Sequence, residues 1–288
     1  MKKFVLFNTF IIVFLTLAFA QARDIKAEKL IYKQVDTTKL SLYVYHPSNF
    51  KQDKTLPAIV FFFGGGWVSG NIKQFEPHAN YFASRGMISI LADYRVRKRN
   101  NTSPFEAVMD AKSAIRFIRG NAVKLGIDPN KIIASGGSAG GHLAAATATL
   151  DGFNDPSDDL SVSPVPNALV LFNPVIDNGP GGYGYDRIGD RYKEFSPMEN
   201  IKKNMPPAIM FFGTNDNTTS VKTAELFKKK MEDAGSHCDL FLYEGQKHGF
   251  FNYDRNNSKY YKETVYQADK FLISLGYLSG EPKILDKK

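Results

Sequence analysis

The sequence contains little cysteine: its one thiol, Cys238, has no partner in the chain and cannot form an internal disulfide. Charge of one sign is not gathered in a block either, because the basic residues behind the net charge of +8 are spread along lysine-rich stretches. This distribution favours solubility and some affinity for acidic polymers, and it gives little support for nucleic-acid binding. Internal repeats and a linker to a second domain are also lacking, which predicts a single domain over residues 21–288.

Long apolar runs are absent beyond the N-terminus. Lys2-Lys3 precede an apolar run from Phe10 to Phe19, and Ala18-Phe19-Ala20 has the small-x-small form of a signal-peptidase site. The run is short for a membrane span, so an uncleaved anchor is the less favoured alternative. We therefore expect residues 1–20 to be a signal peptide, cleaved after Ala20 or Ala22. This predicts an exported protein, periplasmic or secreted, with no stable membrane association after cleavage.

The rest of the chain alternates short apolar runs with helical patterns. Pro57 to Phe63 is apolar without interruption, which suits a strand buried on both faces of a parallel sheet. Ser103 to Glu106 forms a capping-box pattern that begins a helix, and Gly126 is expected to end that helix. Residues 173–207 have little periodicity and predict a lid, a binding loop or decoration. Further strands are predicted within 24–47 and at 87–92, 168–172, 208–212 and 238–243, and further helices at 77–84, 220–234 and 259–275.

The order of these elements predicts an α/β fold with a mostly parallel sheet flanked by helices. Within it, Gly136-Gly137-Ser138-Ala139-Gly140 fits G-x-S-x-G, in which a serine lies at a sharp turn between a strand and a helix. Glycines suit this turn because the serine backbone is strained and the following helix comes close. The motif predicts that Ser138 is a nucleophile, whereas a Gly/Ser/Ala turn without chemistry is the alternative.

A serine nucleophile needs a base and an acid that orients the base. His248 follows the last predicted strand, so its loop can carry the imidazole over the sheet edge. Asp216 follows the strand at 208–212, and Asp177, one strand earlier, is the alternative acid. The order Ser138, Asp216, His248 matches the Ser…Asp…His order of α/β-hydrolases, and each residue lies at the carboxyl end of a strand. The histidines that are less well placed are His46, His78, His142 and His237.

The run Gly64-Gly65-Gly66 offers backbone N–H groups at the end of a buried strand on the same sheet edge. Together with the amide of Ala139, these groups would bind the oxyanion of a tetrahedral intermediate. A flexible glycine loop without a role is the alternative.

The glycine run at Gly64 to Gly66, the G-x-S-x-G motif around Ser138, and the positions of Asp216 and His248 together resemble an α/β-hydrolase esterase of the hormone-sensitive-lipase-like group. The resemblance is closer to the small exported acetyl esterases, including acetylxylan and feruloyl esterases. The resemblance implies that Ser138 is the nucleophile, Asp216 the acid and His248 the base. It implies that the amides of Gly65, Gly66 and Ala139 form the oxyanion hole, and that no cofactor or metal ion takes part. The matching segments, in order, are Gly64 to Trp67, Asp93 to Arg95, Ile127 to Pro129, Gly137 to Gly141, Gly213 to Asp216 and His248 to Phe250.

Two positions depart from the family pattern. The family's H-G-G-G has His where Phe63 stands, and its G-D-S-A-G-G has Asp where Gly137 stands. Neither change removes a backbone donor or the nucleophile, so activity is expected to survive, although the lipase-type branch is less favoured. The short stretch between residue 21 and Gly64 leaves little room for a large N-terminal cap. This predicts an open site.

An open site suits a bulky, hydrated substrate with a small acyl group. Trp67, Tyr94 and Phe250 are expected to contact it by stacking on sugar rings, with internal packing as the alternative. The resemblance therefore predicts a serine esterase that removes acetyl groups from an acetylated carbohydrate or acts on a small ester. Feruloyl or general short-chain esters are the alternative substrates, and a serine peptidase or an inactive carbohydrate-binding protein is less favoured. Further aromatic residues near the same edge are Tyr183, Tyr185, Phe251 and Tyr253.

Overall fold

The computed structural model describes residues 27–284, and the predicted signal peptide lies outside them. Within this range, eight strands form one sheet. The strands are β1 (Glu28–Val35), β2 (Thr38–Tyr45), β3 (Leu56–Phe62), β4 (Ile88–Ala92), β5 (Ile127–Gly137), β6 (Ala168–Phe172), β7 (Ala208–Gly213) and β8 (Cys238–Tyr243). Their order across the sheet is β1-β2-β4-β3-β5-β6-β7-β8.

The first two strands run antiparallel to their neighbours, and the other six run parallel to one another. The helices of the described residues are α1 (Glu76–Ser84), α2 (Arg97–Asn100), α3 (Pro104–Gly120), α4 (Ala122–Leu125), α5 (Ala139–Thr149), α6 (Tyr185–Ile188), α7 (Tyr192–Phe195), α8 (Val221–Asp233) and α9 (Lys259–Ser274). Apolar residues of α3, α5 and α8 pack on one face of the sheet, and those of α1 and α9 pack on the other. The predicted fold, a mostly parallel sheet flanked by helices, is confirmed.

Strand β3 shows why continuous apolarity predicted a central strand. Successive side chains point to opposite faces, and β3 lies between β4 and β5 with helices on both sides. Val60 and Phe62 therefore join the core beneath α3 and α5, while Ile59 and Phe61 join the core beneath α1 and α9. Both faces exclude water, so neither can carry polar residues.

Helix α3 begins at the predicted capping box: the Phe105 amide donates to Ser103 Oγ at 3.2 Å, and the Ser103 amide donates to the Glu106 carboxylate at 2.9 Å. The predicted single helix up to Gly126 is interrupted at Asn121. The side-chain amide of Asn121 donates to the Phe117 carbonyl at 2.8 Å, and this local bond competes with the helical pattern. The predicted stop at Gly126 is confirmed, since this residue has φ +69°.

Residues 173–207 lack a strand and contain short helical turns only, which include α6 and α7. The segment before β3 forms β1 and β2, so the described residues there build sheet instead of a helical cap. Among residues 27–284, no helix is both long and apolar enough to cross a bilayer.

Candidate active site

Ser138 lies between the end of β5 and the start of α5, at the centre of the sheet. Its backbone has φ +55° and ψ −120°, a combination that L-residues rarely adopt. The Ser138 amide donates to the Phe172 carbonyl at 3.0 Å, and its carbonyl accepts from the Val175 amide at 3.1 Å. The neighbouring strand β6 thus holds the turn in this strained form.

Glycines on both sides make the turn possible. A Cβ on Gly136 would lie 2.4 Å from the Gly140 carbonyl oxygen, and a Cβ on Gly140 would lie 2.0 Å from the Phe62 carbonyl oxygen. Both distances are far below van der Waals contact, so any side chain at these positions would push α5 away from the sheet. The strand–turn–helix context that G-x-S-x-G predicts is therefore present.

The structure brings Ser138, His248 and Asp216 into one hydrogen-bonded chain. Ser138 Oγ lies 2.8 Å from His248 Nε2, and His248 Nδ1 lies 2.7 Å from Asp216 Oδ2. An ionised carboxylate only accepts hydrogen bonds, so Nδ1 carries the proton and Nε2 is left to accept the serine hydroxyl proton. The three residues thus have the arrangement of a nucleophile, a base and an orienting acid.

Asp216 is held in its ionised form. Burial alone would raise its pKa, but the hydrogen bond and charge of His248, with the amides of Thr218 and Thr219, outweigh burial and lower the pKa below its ordinary value. Those amides donate to Asp216 Oδ1 at 2.8 and 3.0 Å. Asp177, the alternative acid, accepts from the Gly179 amide at 2.9 Å and forms a turn.

The glycine loop after β3 lies against the nucleophile, where an ideal Cβ on Gly64 would lie 3.4 Å from Ser138 Cβ. Gly65 and Gly66 line the same cavity of about 290 Å³ as Ser138 and His248. Both have positive φ, +124° and +64°. Among the described residues, no acceptor binds their amides. Ala139 is the first residue of α5, where helical amides have no intrahelical acceptor.

Gln74 and Asn252, which sequence reasoning missed, fix the glycine loop to the His248 loop. The Gly64 amide donates to Gln74 Oε1 at 2.6 Å, and Gln74 Nε2 donates to Asn252 Oδ1 at 3.0 Å. Asn252 Nδ2 in turn donates to the Gly249 carbonyl at 2.7 Å. No pattern in the sequence marks this link, because it joins segments that are far apart along the chain.

Asn173 is a third residue that sequence reasoning missed. Its Oδ1 accepts from the Gly249 amide at 2.9 Å, and its Nδ2 lies 3.4 Å from His248 Nε2. It directly follows β6, so its place at the carboxyl end of a strand was a signal that could have identified it.

The predicted substrate contacts through Trp67, Tyr94 and Phe250 are wrong, because all three side chains are at most 2% exposed. Trp67 packs beneath the loop against His142, with ring centres 5.1 Å apart. Tyr94 stacks on Phe63 at 4.1 Å and donates from its hydroxyl to the Phe63 carbonyl at 2.7 Å. Phe250 packs against Tyr243 at 5.0 Å. Aromaticity near the sheet edge did not distinguish packing from exposure.

Tyr183, by contrast, lines the cavity. Its hydroxyl would lie 2.4 Å from a Cβ on Gly66, so it lies over the glycine loop. Arg187 donates to the Gly66 carbonyl at 2.6 Å and lies over the rings of both Trp67 and Tyr183. Residues 173–207 thus contribute to the wall of the site and to the support of its glycine loop.

None of the other four histidines, all within residues 27–284, is hydrogen-bonded to Ser138 Oγ. His142 is fully buried in α5, and its Nε2 donates to the Phe195 carbonyl at 3.1 Å. His78 is fully buried among aromatic rings, while His46 and His237 lie beside Glu28 and Asp239. Within residues 27–284, His, Cys, Asp and Glu side chains form no group of three or more that could hold a metal ion.

The chain matches two family models: BD-FAE over residues 42–178 and the dienelactone hydrolase family over residues 181–274. It is also similar to esterase 2 of the Planctomycetes species Thermogutta terrifontis, solved with propionate bound. The identity is 44%, the TM-score is 0.85, and the match covers 90% of this chain and 98% of that one. The same esterase phosphorylated by paraoxon gives 46% identity and a TM-score of 0.85, with 88% of this chain and 96% of that one covered.

Among curated proteins, the chain is 25% identical over 247 residues to a probable isoprenylcysteine alpha-carbonyl methylesterase of Arabidopsis thaliana, covering 76% of this chain and 50% of that protein. It is 26% identical over 241 residues to an acetylxylan esterase of Xylanibacter ruminicola, covering 78% and 46%. The chain spans about half the length of these curated relatives. Its likeness to the solved esterase covers nearly that whole protein. The chain belongs to the α/β-hydrolase esterases.

Proposed function

We propose that the protein is a serine carboxylesterase that removes acetyl groups from a polysaccharide or its oligosaccharides. The observation that carries the hydrolytic part is the chain of hydrogen bonds from Ser138 through His248 to Asp216, at 2.8 and 2.7 Å. It lies beside a glycine loop that lines the same cavity and in which, among the described residues, the amides of Gly65 and Gly66 have no acceptor. A base within hydrogen-bond reach of a hydroxyl is what nucleophilic catalysis by serine requires.

In this mechanism Ser138 Oγ attacks the ester carbonyl while His248 Nε2 takes its proton. The amides of Gly65, Gly66 and Ala139 stabilise the negative charge that develops on the carbonyl oxygen. His248 then gives the proton to the departing sugar alcohol, which leaves an acyl group on Ser138. Water, deprotonated by His248, attacks this acyl-enzyme and releases the carboxylic acid.

The acetyl specificity is supported by the size and walls of the cavity. Its volume of about 290 Å³ and its three glycines leave space for a short acyl group, and Tyr183 and Phe251 form part of its wall. A relative named acetylxylan esterase shares 26% identity with this chain, and the solved relative binds propionate. A general short-chain carboxylesterase is the second candidate, since that relative has also been solved with butyrate bound.

The test is acetate release from acetylated xylan, measured beside hydrolysis of nitrophenyl acetate, butyrate and octanoate and of methyl ferulate. We expect acetate from the polymer and a steep fall in rate from acetate to octanoate, with Ser138→Ala inactive on every substrate. Turnover of nitrophenyl esters without polymer deacetylation would favour the general esterase. Turnover of methyl ferulate would extend the substrates to other hemicellulose esters. Activity of Ser138→Ala would show that Ser138 is not the nucleophile.

We also propose that the protein works outside the cytoplasm, after loss of residues 1–20. The support is the basic start, the apolar run and the small-x-small site of the sequence. N-terminal sequencing of protein recovered from an exported fraction tests this, with Gln21 or Arg23 expected as the first residue. A protein that keeps Met1 or Lys2 would contradict it.

A further inference from the structure

We propose that a tyrosine-lined groove beside the active site binds the sugar rings of the substrate, an inference that rests on the proposed function. The groove has a volume of about 900 Å³ and is separate from the Ser138 cavity. Its lining includes Tyr43, Tyr45, Lys73, Glu76, Tyr253 and Tyr261, together with five further residues of which four are apolar. We call it the tyrosine groove.

The tyrosine groove and the Ser138 cavity share their dividing wall. Lys73 lines the groove and the next residue, Gln74, lines the cavity. In the same way Tyr253 lines the groove and the preceding residue, Asn252, lines the cavity. The hydrogen bond between Gln74 and Asn252 therefore joins the two segments of this wall. The groove therefore lies next to the cavity in which Ser138 would hold an ester.

Two of the tyrosines, Tyr45 and Tyr261, are only 3% and 5% exposed and are fixed by their own hydroxyl groups. Tyr45 donates to Glu76 Oε1 at 3.1 Å, and Tyr261 donates to the Pro77 carbonyl at 2.9 Å. Tyr253 lies edge-on to Tyr261, with ring centres 5.0 Å apart, and is 46% exposed. Tyr253 therefore supplies the ring that a sugar can reach, and Tyr261 supports it from one side. The electron-rich face of such a ring attracts the weakly positive C–H edge of a sugar ring.

Polar groups of both signs border the rings. Glu76 uses only Oε1 towards Tyr45, so its other carboxylate oxygen remains to accept a sugar hydroxyl. Among the described residues, no carboxylate pairs with the ammonium of Lys73, which is exposed at the same rim. An acceptor and a donor beside aromatic faces fit a neutral, polyhydroxylated chain better than a hydrocarbon tail or a strongly charged polymer.

Differences in exposure also explain why the buried aromatic residues near the glycine loop do not contact sugar rings. Trp67 and Tyr94 have no free ring face, since both are at most 1% exposed. Tyr253 is the most exposed aromatic side chain of the described residues at 46%, and it lies on the loop that follows His248. The groove thus offers the sugar contact that sequence analysis predicted for Trp67, Tyr94 and Phe250.

The experiment measures binding without chemistry. Ser138→Ala protein is titrated calorimetrically with unacetylated xylotriose and xylotetraose, and with manno-, cello- and galacturono-oligosaccharides of matched length. We expect saturable binding of at least one neutral series. Adding Tyr253→Ala should weaken it about tenfold, a loss that corresponds to about 1.4 kcal/mol. Adding Lys73→Ala should weaken it less. Tyr266→Ala, a tyrosine on α9 outside both cavities, is the matched control and should keep the affinity.

A kinetic comparison separates this proposal from the proposed function. In the otherwise native protein, Tyr253→Ala should raise KM for acetylated oligosaccharide several-fold more than KM for nitrophenyl acetate. If Ser138→Ala binds no oligosaccharide, or binds it equally well with and without Tyr253, the groove is not a sugar-binding site, even if the native protein deacetylates xylan. If oligosaccharide binding depends on Tyr253 but the native protein releases no acetate, the groove remains a sugar-binding site and the proposed acetyl substrate is wrong.

Discussion

Asp216 is fully covered at its carboxylate, yet its pKa lies below the ordinary value because His248 and two backbone amides bind it. Asp216→Asn would keep the shape of this site but turn an acceptor of the Nδ1 proton into a group that can also donate. The imidazole would then favour the wrong tautomer, and we expect kcat to fall by about 10⁴-fold with little change in KM. Steady-state hydrolysis of nitrophenyl acetate measures this.

The matched control is Asp177→Asn, at the aspartate that sequence reasoning left as the alternative acid. Its carboxylate binds only the Gly179 amide, so its replacement should leave kcat within a few-fold of the native value. A large loss of kcat in Asp177→Asn with a small one in Asp216→Asn would show that the acid has been assigned to the wrong strand.

Gly137 departs from the family's pattern for a reason that the packing shows. A Cβ at this position would lie 2.4 Å from Cζ of Phe251, so the ring occupies the space that the family's aspartate would need. We expect Gly137→Asp to lower the free energy of unfolding by about 1–3 kcal/mol, the usual cost of overpacking. Urea unfolding of Gly137→Asp, Phe251→Leu and the double variant measures it. The double variant should lose less than the sum of the single losses, and strict additivity would contradict this account.

At the scale of elements, the glycine loop depends on β4 for its support. Tyr94 follows β4 and donates to the Phe63 carbonyl at the start of the loop. Tyr94→Phe leaves this buried carbonyl without its partner, which should cost about 1–3 kcal/mol of unfolding free energy. Because Tyr94 supports the loop without contacting the cavity, kcat should fall several-fold while KM stays unchanged. A rise in KM alone would mean that Tyr94 contacts substrate after all.

Several elements were predictable because a single physical rule governs each of them. Strand β3 is apolar on both faces because helices cover both, and α3 begins where its capping box requires. The interruption of the helix at Asn121 was not predictable, because a local side-chain hydrogen bond outweighed a continuous apolar pattern. The order and strand positions of Ser138, Asp216 and His248 predicted three residues that the structure brings into one hydrogen-bonded chain, because the carboxyl ends of parallel strands meet at one edge of the sheet.

Other parts of the site could not be predicted because they depend on contacts between distant segments. The exposure of Trp67, Tyr94 and Phe250 is decided by what covers them, which no local pattern records. The bond from Gln74 to Asn252 joins residues 178 positions apart. Asn173 differs from these residues, because its position as a polar residue directly after a strand could have identified it from the sequence.

Across the protein, two buried histidines contribute to the loss of stability in acid. Burial lowers the pKa of His78 to about 3, and neither of its nitrogens has a partner. Burial also lowers the pKa of His142 to about 3, against the opposing effect of its bond to the Phe195 carbonyl. The folded protein therefore keeps both rings neutral at pH values where the unfolded chain, with an ordinary value near 6.5, takes up protons.

Stability from these groups is complete above about pH 6.5 and is lost as the pH falls towards 3, by about 1.4 kcal/mol per pH unit for each histidine. Urea unfolding at a series of pH values measures the slope. His78→Leu should reduce the slope of unfolding free energy against pH by the amount that corresponds to about one bound proton. A variant at the exposed His237, such as His237→Gln, should change the slope little. Equal slopes for native protein and His78→Leu would contradict the account.

In the proposed mechanism Ser138 forms the covalent acyl-enzyme, and labelling of the active site tests this role. A solved relative is phosphorylated by paraoxon, so the native protein is incubated with paraoxon, digested and its peptides are identified by mass spectrometry. We predict one diethylphosphoryl group per chain, on Ser138, with parallel loss of esterase activity and no labelling of Ser138→Ala. Labelling of another residue, or full activity in a protein that paraoxon does not modify, would contradict the account.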